Sequence, residues 1–103
     1  MYYKEYGKAT NNIYPGIKLA QENITNVALE MFLSNVLRDL ELVHEYGGNS
    51  LTIDIAFRHR YFSVDDIVNT LVNSGFKVVI TQCSELRNKV KLTVIWVNAF
   101  TIN

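Results

Sequence analysis

The sequence predicts a small α+β domain in which a long N-terminal helix and a short helix pack on one face of a three-stranded, mainly antiparallel sheet. Apolar residues recur at steps of three or four over residues 17–46, and they alternate with polar residues over residues 51–58, 76–81 and 89–97. A length of 103 residues with 49% hydrophobic residues fits one globular domain. We therefore expect an N-terminal arm at residues 1–16 and a single α+β domain at residues 17–103.

The arm has a composition of its own. Four tyrosines lie among glycine, asparagine and proline residues, which favour turns rather than a helix. Each tyrosine ring has apolar area to bury. We therefore expect the arm to dock, either on its own domain or on a second copy of the chain.

The long helix is predicted over residues 17–46, followed by Gly47 and Gly48 where a left-handed C-cap is expected. No proline interrupts its apolar stripe, which consists of Ile17, Ala20, Ile24, Ala28, Phe32, Val36, Leu40 and Val43. A helix of this length spans about 45 Å, whereas a domain of this size is about 33 Å across. Either the helix breaks near residues 21–26, or its overhang packs on another subunit.

An overhanging helix and a tyrosine-rich arm together favour a homo-oligomer, most simply a two-fold dimer. The residues expected at its interface are Tyr2, Tyr3, Tyr6, Tyr14, Ile24 and Met31.

The remaining elements follow the order strand, helix, strand, strand, so that the whole order is α-β-α-β-β. Ser63 is the predicted N-cap of the short helix, with Asp66 as its capping-box partner, and Gly75 ends the helix. A right-handed crossover makes the first two strands parallel. The last strand, joined to the second by a hairpin, is expected to lie between them.

A candidate ligand site lies just before the short helix, at Arg58, His59, Arg60, Tyr61 and Ser63. Two guanidinium groups on one strand face suit phosphate or carboxylate, and a helix start adds backbone N–H groups. Tyr61 is suited to stack on a base. The competing interpretation is a structural ion-pair cluster with Asp65 and Asp66, and the sequence leaves both open.

Other chemistry finds little support in the sequence. Cys83 is the only cysteine, and His44 and His59 lack the spacing of a zinc site. No P-loop, dinucleotide fingerprint or nucleophile elbow occurs. We therefore expect no enzyme, no catalytic residue, no metal and no cofactor.

The formal net charge is zero, so nothing draws the whole chain to nucleic acid. We therefore do not expect a nucleic-acid partner, for which the sequence offers only a basic edge at Arg87, Lys89 and Lys91. No apolar run approaches the roughly 18 residues of a membrane span, and no signal peptide is visible. We therefore expect a cytoplasmic protein without a membrane partner.

Four segments between residues 17 and 98 form a recognisable layout: Gly47-Gly48, residues 63–71, Gly75-Phe76-Lys77-Val78 and Val94-Ile95-Trp96. This layout resembles that of small uncharacterised proteins encoded by bacteriophages. Abundant asparagine, isoleucine and tyrosine with one proline is similarly typical of AT-rich phage genomes. The resemblance implies an accessory protein in the host cytoplasm that counters host defence by binding a nucleotide signal or a host protein.

The expected function is therefore that of a non-catalytic, oligomeric binding protein for a small anionic ligand or a host protein. A structural or assembly protein without a ligand and a nucleic-acid-binding protein are the alternatives.

Overall fold

A computed structural model describes residues 2–56, 61–82 and 89–98. The elements in chain order are β1 (Tyr2–Tyr6), α1 (Ile13–Asn23), α2 (Val27–Glu45), β2 (Ser50–Ala56), α3 (Val64–Asn73), β3 (Lys77–Gln82) and β4 (Lys89–Ile95). The predicted α+β class is confirmed, whereas the three-stranded sheet and the order α-β-α-β-β are wrong. Among the described residues, no helix is both long enough and apolar enough to cross a membrane.

The four strands form one antiparallel sheet in the order β1-β3-β4-β2. The last strand lies between the two strands expected beside it, since Val94 is opposite both Leu51 and Val78. Its inner residues Val90 and Leu92 are buried beneath the helices together with Val94. The two inner strands, β3 and β4, are both rich in β-branched residues, which suits strands that are paired on both sides.

β1 was not predicted as a strand. Residues 2–6, expected in the docking arm, pair with β3 so that Tyr6 is opposite Val78. Lys4 and Tyr6 share the inner face, with the Lys4 ammonium 5.1 Å from the Tyr6 ring centroid. Because a lysine lies on that face, the apolar alternation that marks a strand is lost. Tyr6 packs against the core, so this part of the arm docks on its own domain.

The helix predicted over residues 17–46 breaks within residues 21–26, which was one of the two alternatives for its excess length, and so forms two helices. α1 ends at Asn23, and both Ile24 (φ −80°, ψ 121°) and Asn26 (φ −115°, ψ 126°) are extended. Thr25 and Asn26 are poor helix formers, and asparagine is a favoured N-cap. The periodicity did not reveal the break, because Ile24 packs against the core from its extended position and continues the stripe.

α1 also begins earlier than predicted. Asn12 caps it by accepting a hydrogen bond from the Tyr14 N–H at 3.2 Å. Pro15 lies in the first turn, where its missing N–H costs no helical hydrogen bond. Gly16 allows a close approach, since a Cβ there would lie 2.9 Å from Cζ of Phe76. Two residues taken for turn formers therefore belong to a helix packed against the chain before β3.

Because the helix is broken, its length no longer indicates that the chain associates with a second copy. The molecule measures 36 × 31 × 21 Å, shorter than the roughly 45 Å of an unbroken 30-residue helix. α2, with 19 residues, is about 28 Å long and fits. The stripe residues Ile17, Ala20, Val36 and Leu40 are buried within one copy of the chain. Homo-oligomerisation therefore stays a prediction that needs a different physical basis.

Candidate anion-binding corner

Of the five residues predicted to bind an anion, two are described. Arg58, His59 and Arg60 lie outside the described residues. Tyr61 has 63% of its surface exposed, whereas the neighbouring Phe62 is buried at 6%. The chain therefore enters α3 with one aromatic ring directed outwards and the next one in the core.

Ser63 is the N-cap of α3, as predicted. Its hydroxyl accepts a hydrogen bond from the Asp66 N–H at 3.1 Å, and its own N–H donates to Asp66 Oδ2 at 2.9 Å. The predicted capping box is thus confirmed. The Ser63 hydroxyl and the Asp66 carboxylate are both engaged in starting the helix, so Ser63 contributes to the site mainly by fixing where α3 begins.

Asn26 joins the starts of α2 and α3. Its Oδ1 accepts hydrogen bonds from the N–H groups of Ala28 (2.8 Å) and Leu29 (3.3 Å), which caps α2. Its Nδ2 donates to the Tyr61 carbonyl oxygen at 2.8 Å. Neither role of Asn26 was predicted. The preference of asparagine for N-caps was the available signal for the cap, whereas the bond to Tyr61 spans 35 positions and left no local trace.

The contact brings two helix N-termini to one place, which we call the α2–α3 corner and define by Asn26, Val27, Tyr61, Ser63 and Val64. The rings of Phe32 and Phe62, 5.4 Å apart between centroids and tilted by 43°, pack between the two elements. Apolar packing and the Asn26 hydrogen bonds therefore hold the same junction.

The corner has a fixed electrostatic character. Each helix N-terminus is equivalent to about half a positive charge, carried by N–H groups without intrahelical partners. The capping side chains accept from Ala28, Leu29 and Asp66, which leaves the N–H groups of Val27 and Val64 outside the capping bonds. The opposing charges are carboxylates in the first turns, at Glu30, Asp65 and Asp66. In the sequence, Arg58, His59 and Arg60 directly precede Tyr61.

The predicted interface residues are spread over several elements. Tyr3 in β1, Tyr14 in α1 and Met31 in α2 are exposed by 61%, 49% and 70%. Tyr6 and Ile24 instead pack against the core of their own chain. Tyr2 pairs with Gln82 through the backbone, and its side chain lies outside the description. Of this set, only Met31 belongs to the long helix α2.

A second polar cluster closes the other end of α2. The Trp96 indole N–H donates to Nδ1 of His44 at 3.2 Å, and the Tyr14 ring meets the imidazole edge-on at 5.5 Å. Asn98 Nδ2 donates to the carbonyl oxygens of His44 (3.0 Å) and Gly48 (2.7 Å). These bonds satisfy carbonyl groups at the helix end and tie it to the end of β4. His44 therefore has a packing role.

Binding of nucleic acid to the sheet would require exposed basic and aromatic side chains on its outer face. Lys91 is exposed there, whereas Arg87 and the Lys89 side chain lie outside the described residues. Trp96 and Phe76 are buried at 1% and 0%, so neither offers a ring for stacking a base. Threonine hydroxyls at Thr52 and Thr93, 2.9 Å apart, occupy the middle of the face.

The described residues contain no candidate metal site, because nowhere among them do three histidine, cysteine, aspartate or glutamate side chains come together as ligands. Comparison with known protein families, with characterised proteins and with solved structures gave no match to this chain.

Proposed function

We propose that the chain is a non-catalytic binding protein that holds a small phosphate-bearing anion, such as a nucleotide, at the α2–α3 corner. The observation that supports this best is the hydrogen bond from Asn26 Nδ2 to the Tyr61 carbonyl oxygen. It joins the positive ends of two helices at Tyr61, and in the sequence Arg58 and Arg60 lie within three positions of this residue.

Three kinds of contact are proposed for such a ligand. The N–H groups of Val27 and Val64 suit phosphate oxygens, because helix N-termini direct donors and a positive potential at an anion. Arg58 and Arg60 suit the same oxygens through charge-assisted, bidentate hydrogen bonds. The exposed ring of Tyr61 gives a nucleobase an aromatic surface.

The first-turn carboxylates favour the competing interpretation. Asp65 is exposed, and a surface pair between it and an arginine would neutralise the cation without any ligand. Asp66 is held in the capping box. The two interpretations differ in what the arginines contact, so reversing the charge of the arginines distinguishes them.

The resemblance to small phage proteins supports a biological setting for this activity. A protein that binds a nucleotide signal without converting it lowers the free concentration of that signal in the host. A protein that binds a host protein instead, or that serves only assembly, would leave every nucleotide unbound.

The test is isothermal titration calorimetry of the purified chain with inorganic phosphate and a panel of mono-, di- and cyclic nucleotides. We expect binding of at least one nucleotide. The double variant Arg58→Glu/Arg60→Glu should bind it at least about 100-fold more weakly, since each charge-assisted bond contributes about 1.5–3 kcal/mol. The matched control Lys8→Glu/Lys18→Glu makes the same charge change at exposed positions and should bind as the wild type does.

Tyr61→Ala tests the contribution of the nucleobase to the affinity separately from that of the phosphate. It should weaken nucleotide binding and leave the binding of inorganic phosphate unchanged. The proposal fails if the wild-type protein binds nothing in the panel. It also fails if the arginine variant binds normally, or if the lysine control loses as much affinity as the arginine variant.

A further inference from the structure

The side of α2 that points away from the core carries an apolar stripe with symmetrical spacing. Its residues are Val27, Met31, Asn35, Arg38 and Leu42 of α2 and the C-cap residue Tyr46, which together we call the outer stripe. The steps between them are four, four, three, four and four residues. Read from either end, the stripe has two apolar residues, two polar residues and two apolar residues.

The apolar side chains of the outer stripe remain exposed to solvent in the folded chain. Val27, Met31, Leu42 and Tyr46 are exposed by 73%, 70%, 47% and 90%. At 100° per residue, the buried residues of α2 lie on the opposite side of the helix, at Leu29, Leu33, Val36, Leu37 and Leu40. α2 is thus apolar on two sides, of which its own domain covers one.

We propose that a second copy of the chain covers the outer stripe, with the two α2 helices antiparallel about a two-fold axis between residues 36 and 37. In this arrangement Met31 faces Leu42 of the second copy, and Val27 faces its Tyr46. Asn35 faces Arg38 across the axis. Each contact occurs twice, as a two-fold interface requires. The five steps cover 19 positions, which is close to the 3.6 residues of a helical turn per step, so the stripe stays within a sector of about 100° on one side of the helix.

The symmetry of the stripe is the reason to choose a second copy over an unrelated protein. An unrelated partner would need apolar contacts, but it would not need them at matching distances from the middle of the helix. The polar centre also fits, because Arg38 already donates to Asn35 Oδ1 at 3.3 Å within one helix and meets the same amide of the other copy. The stripe brings one cation per copy, Arg38, towards the axis, and Glu41 lies three positions further along the helix, where its carboxylate is placed to neutralise that charge at the edge of the contact.

The area predicts a dimer that dissociates on dilution. A helix of 19 residues is about 28 Å long and about 10 Å wide, which gives a contact strip of about 280 Å² on each copy. Stable interfaces bury at least about 1,200 Å² in total, so pairing of α2 alone belongs to the weak class. The dimer requires no ligand, and its failure would leave the proposed anion site unaffected.

The experiment is sedimentation velocity from about 1 µM to about 300 µM, the range in which a weak dimer forms. The wild-type protein should shift from monomer to dimer across this range. Met31→Lys and Leu42→Glu, studied separately, should each weaken the dimer at least about 10-fold, because each places a charge against an apolar side chain of the other copy. Leu19→Glu is the matched control, since Leu19 is 44% exposed on α1 and lies outside the stripe.

Mixing the two charged variants gives the decisive measurement. In the mixed dimer the introduced lysine meets the introduced glutamate once, and the other contact joins the unchanged Met31 and Leu42. The mixture should therefore contain more dimer than either variant alone. Circular dichroism confirms that the variants are folded. A monomeric wild type at every concentration, a mixture without added dimer, or an equal loss in Leu19→Glu would overturn the proposal.

Discussion

Replacing Asn26 by alanine should destabilise the fold more than replacing any ordinary N-cap, because this side chain has two separate roles. The lost cap of α2 costs about 1 kcal/mol. The lost bond to the Tyr61 carbonyl costs about 1 kcal/mol more, the typical net contribution of one hydrogen bond. Asn26→Ala should therefore lower the free energy of unfolding by about 2 kcal/mol, which corresponds to a fall in Tm of about 10 °C.

Two further variants separate these roles. Asn26→Asp keeps an oxygen that caps α2 and replaces the donor to Tyr61 by a second oxygen. The repulsion between this oxygen and the Tyr61 carbonyl is offset by the attraction of the carboxylate to the N-terminus of α2, so the variant should cost about 1 kcal/mol. Asn12→Ala removes the cap of α1. Within the described residues, the Asn12 side chain makes no second hydrogen bond like the one from Asn26 to Tyr61, so this variant should also cost about 1 kcal/mol. Urea unfolding followed by Trp96 fluorescence measures all three, since this is the only tryptophan and it is 1% exposed in the folded state.

The reasoning would be refuted by an Asn26→Ala variant no less stable than Asn12→Ala, because the bridge would then contribute nothing. It would equally be refuted if Asn26→Asp were as unstable as Asn26→Ala, since the cap would then be without effect.

Two other predictions concern the sheet. Asn98→Ala removes the donor to His44 and Gly48 from a site 5% exposed, so the free energy of unfolding in urea should fall by about 2 kcal/mol, and a loss under about 0.5 kcal/mol would contradict this. The ion pair between Lys77 and Glu5 (2.9 Å) lowers the pKa of Glu5 and raises the pKa of Lys77, through their hydrogen bond first and their charges second. The small stabilisation by this ion pair should be fully present between pH 4.5 and pH 10.5, the ordinary pKa values of the two groups. It should disappear as the pH falls through the lowered pKa of Glu5, and equally as the pH rises through the raised pKa of Lys77. The stability difference between wild type and Glu5→Gln should shrink with salt, and an increase with salt would speak against the pair.

Part of the candidate site could be predicted from neighbouring residues. Ser63 and Asp66 are three positions apart, and the capping box they form is a local pattern that the sequence displays directly. The bond between Asn26 and Tyr61 joins residues 35 positions apart, and the bond between Trp96 and His44 joins residues 52 positions apart. Neither pair has a signature within its own segment, so neither could be found before the fold was known.

The sequence by itself determined the elements whose cause is local. Periodicity marked the buried side of α2, alternation marked β2 to β4, and glycines marked the ends of α2 and α3, where Gly47 and Gly75 have φ of +90° and +103°. These signals act between residues a few positions apart.

Only the tertiary structure decided that residues 24–26 leave the helix, that residues 2–6 join the sheet, and that the starts of α2 and α3 meet. In each case the favourable free energy comes from contacts with a distant part of the chain. Ile24 fits the helical stripe equally well in an extended backbone, so its side chain alone could not reveal the break. A local pattern indicates which side chains must be buried. Where they are buried is determined by the packing of segments that are distant in the sequence.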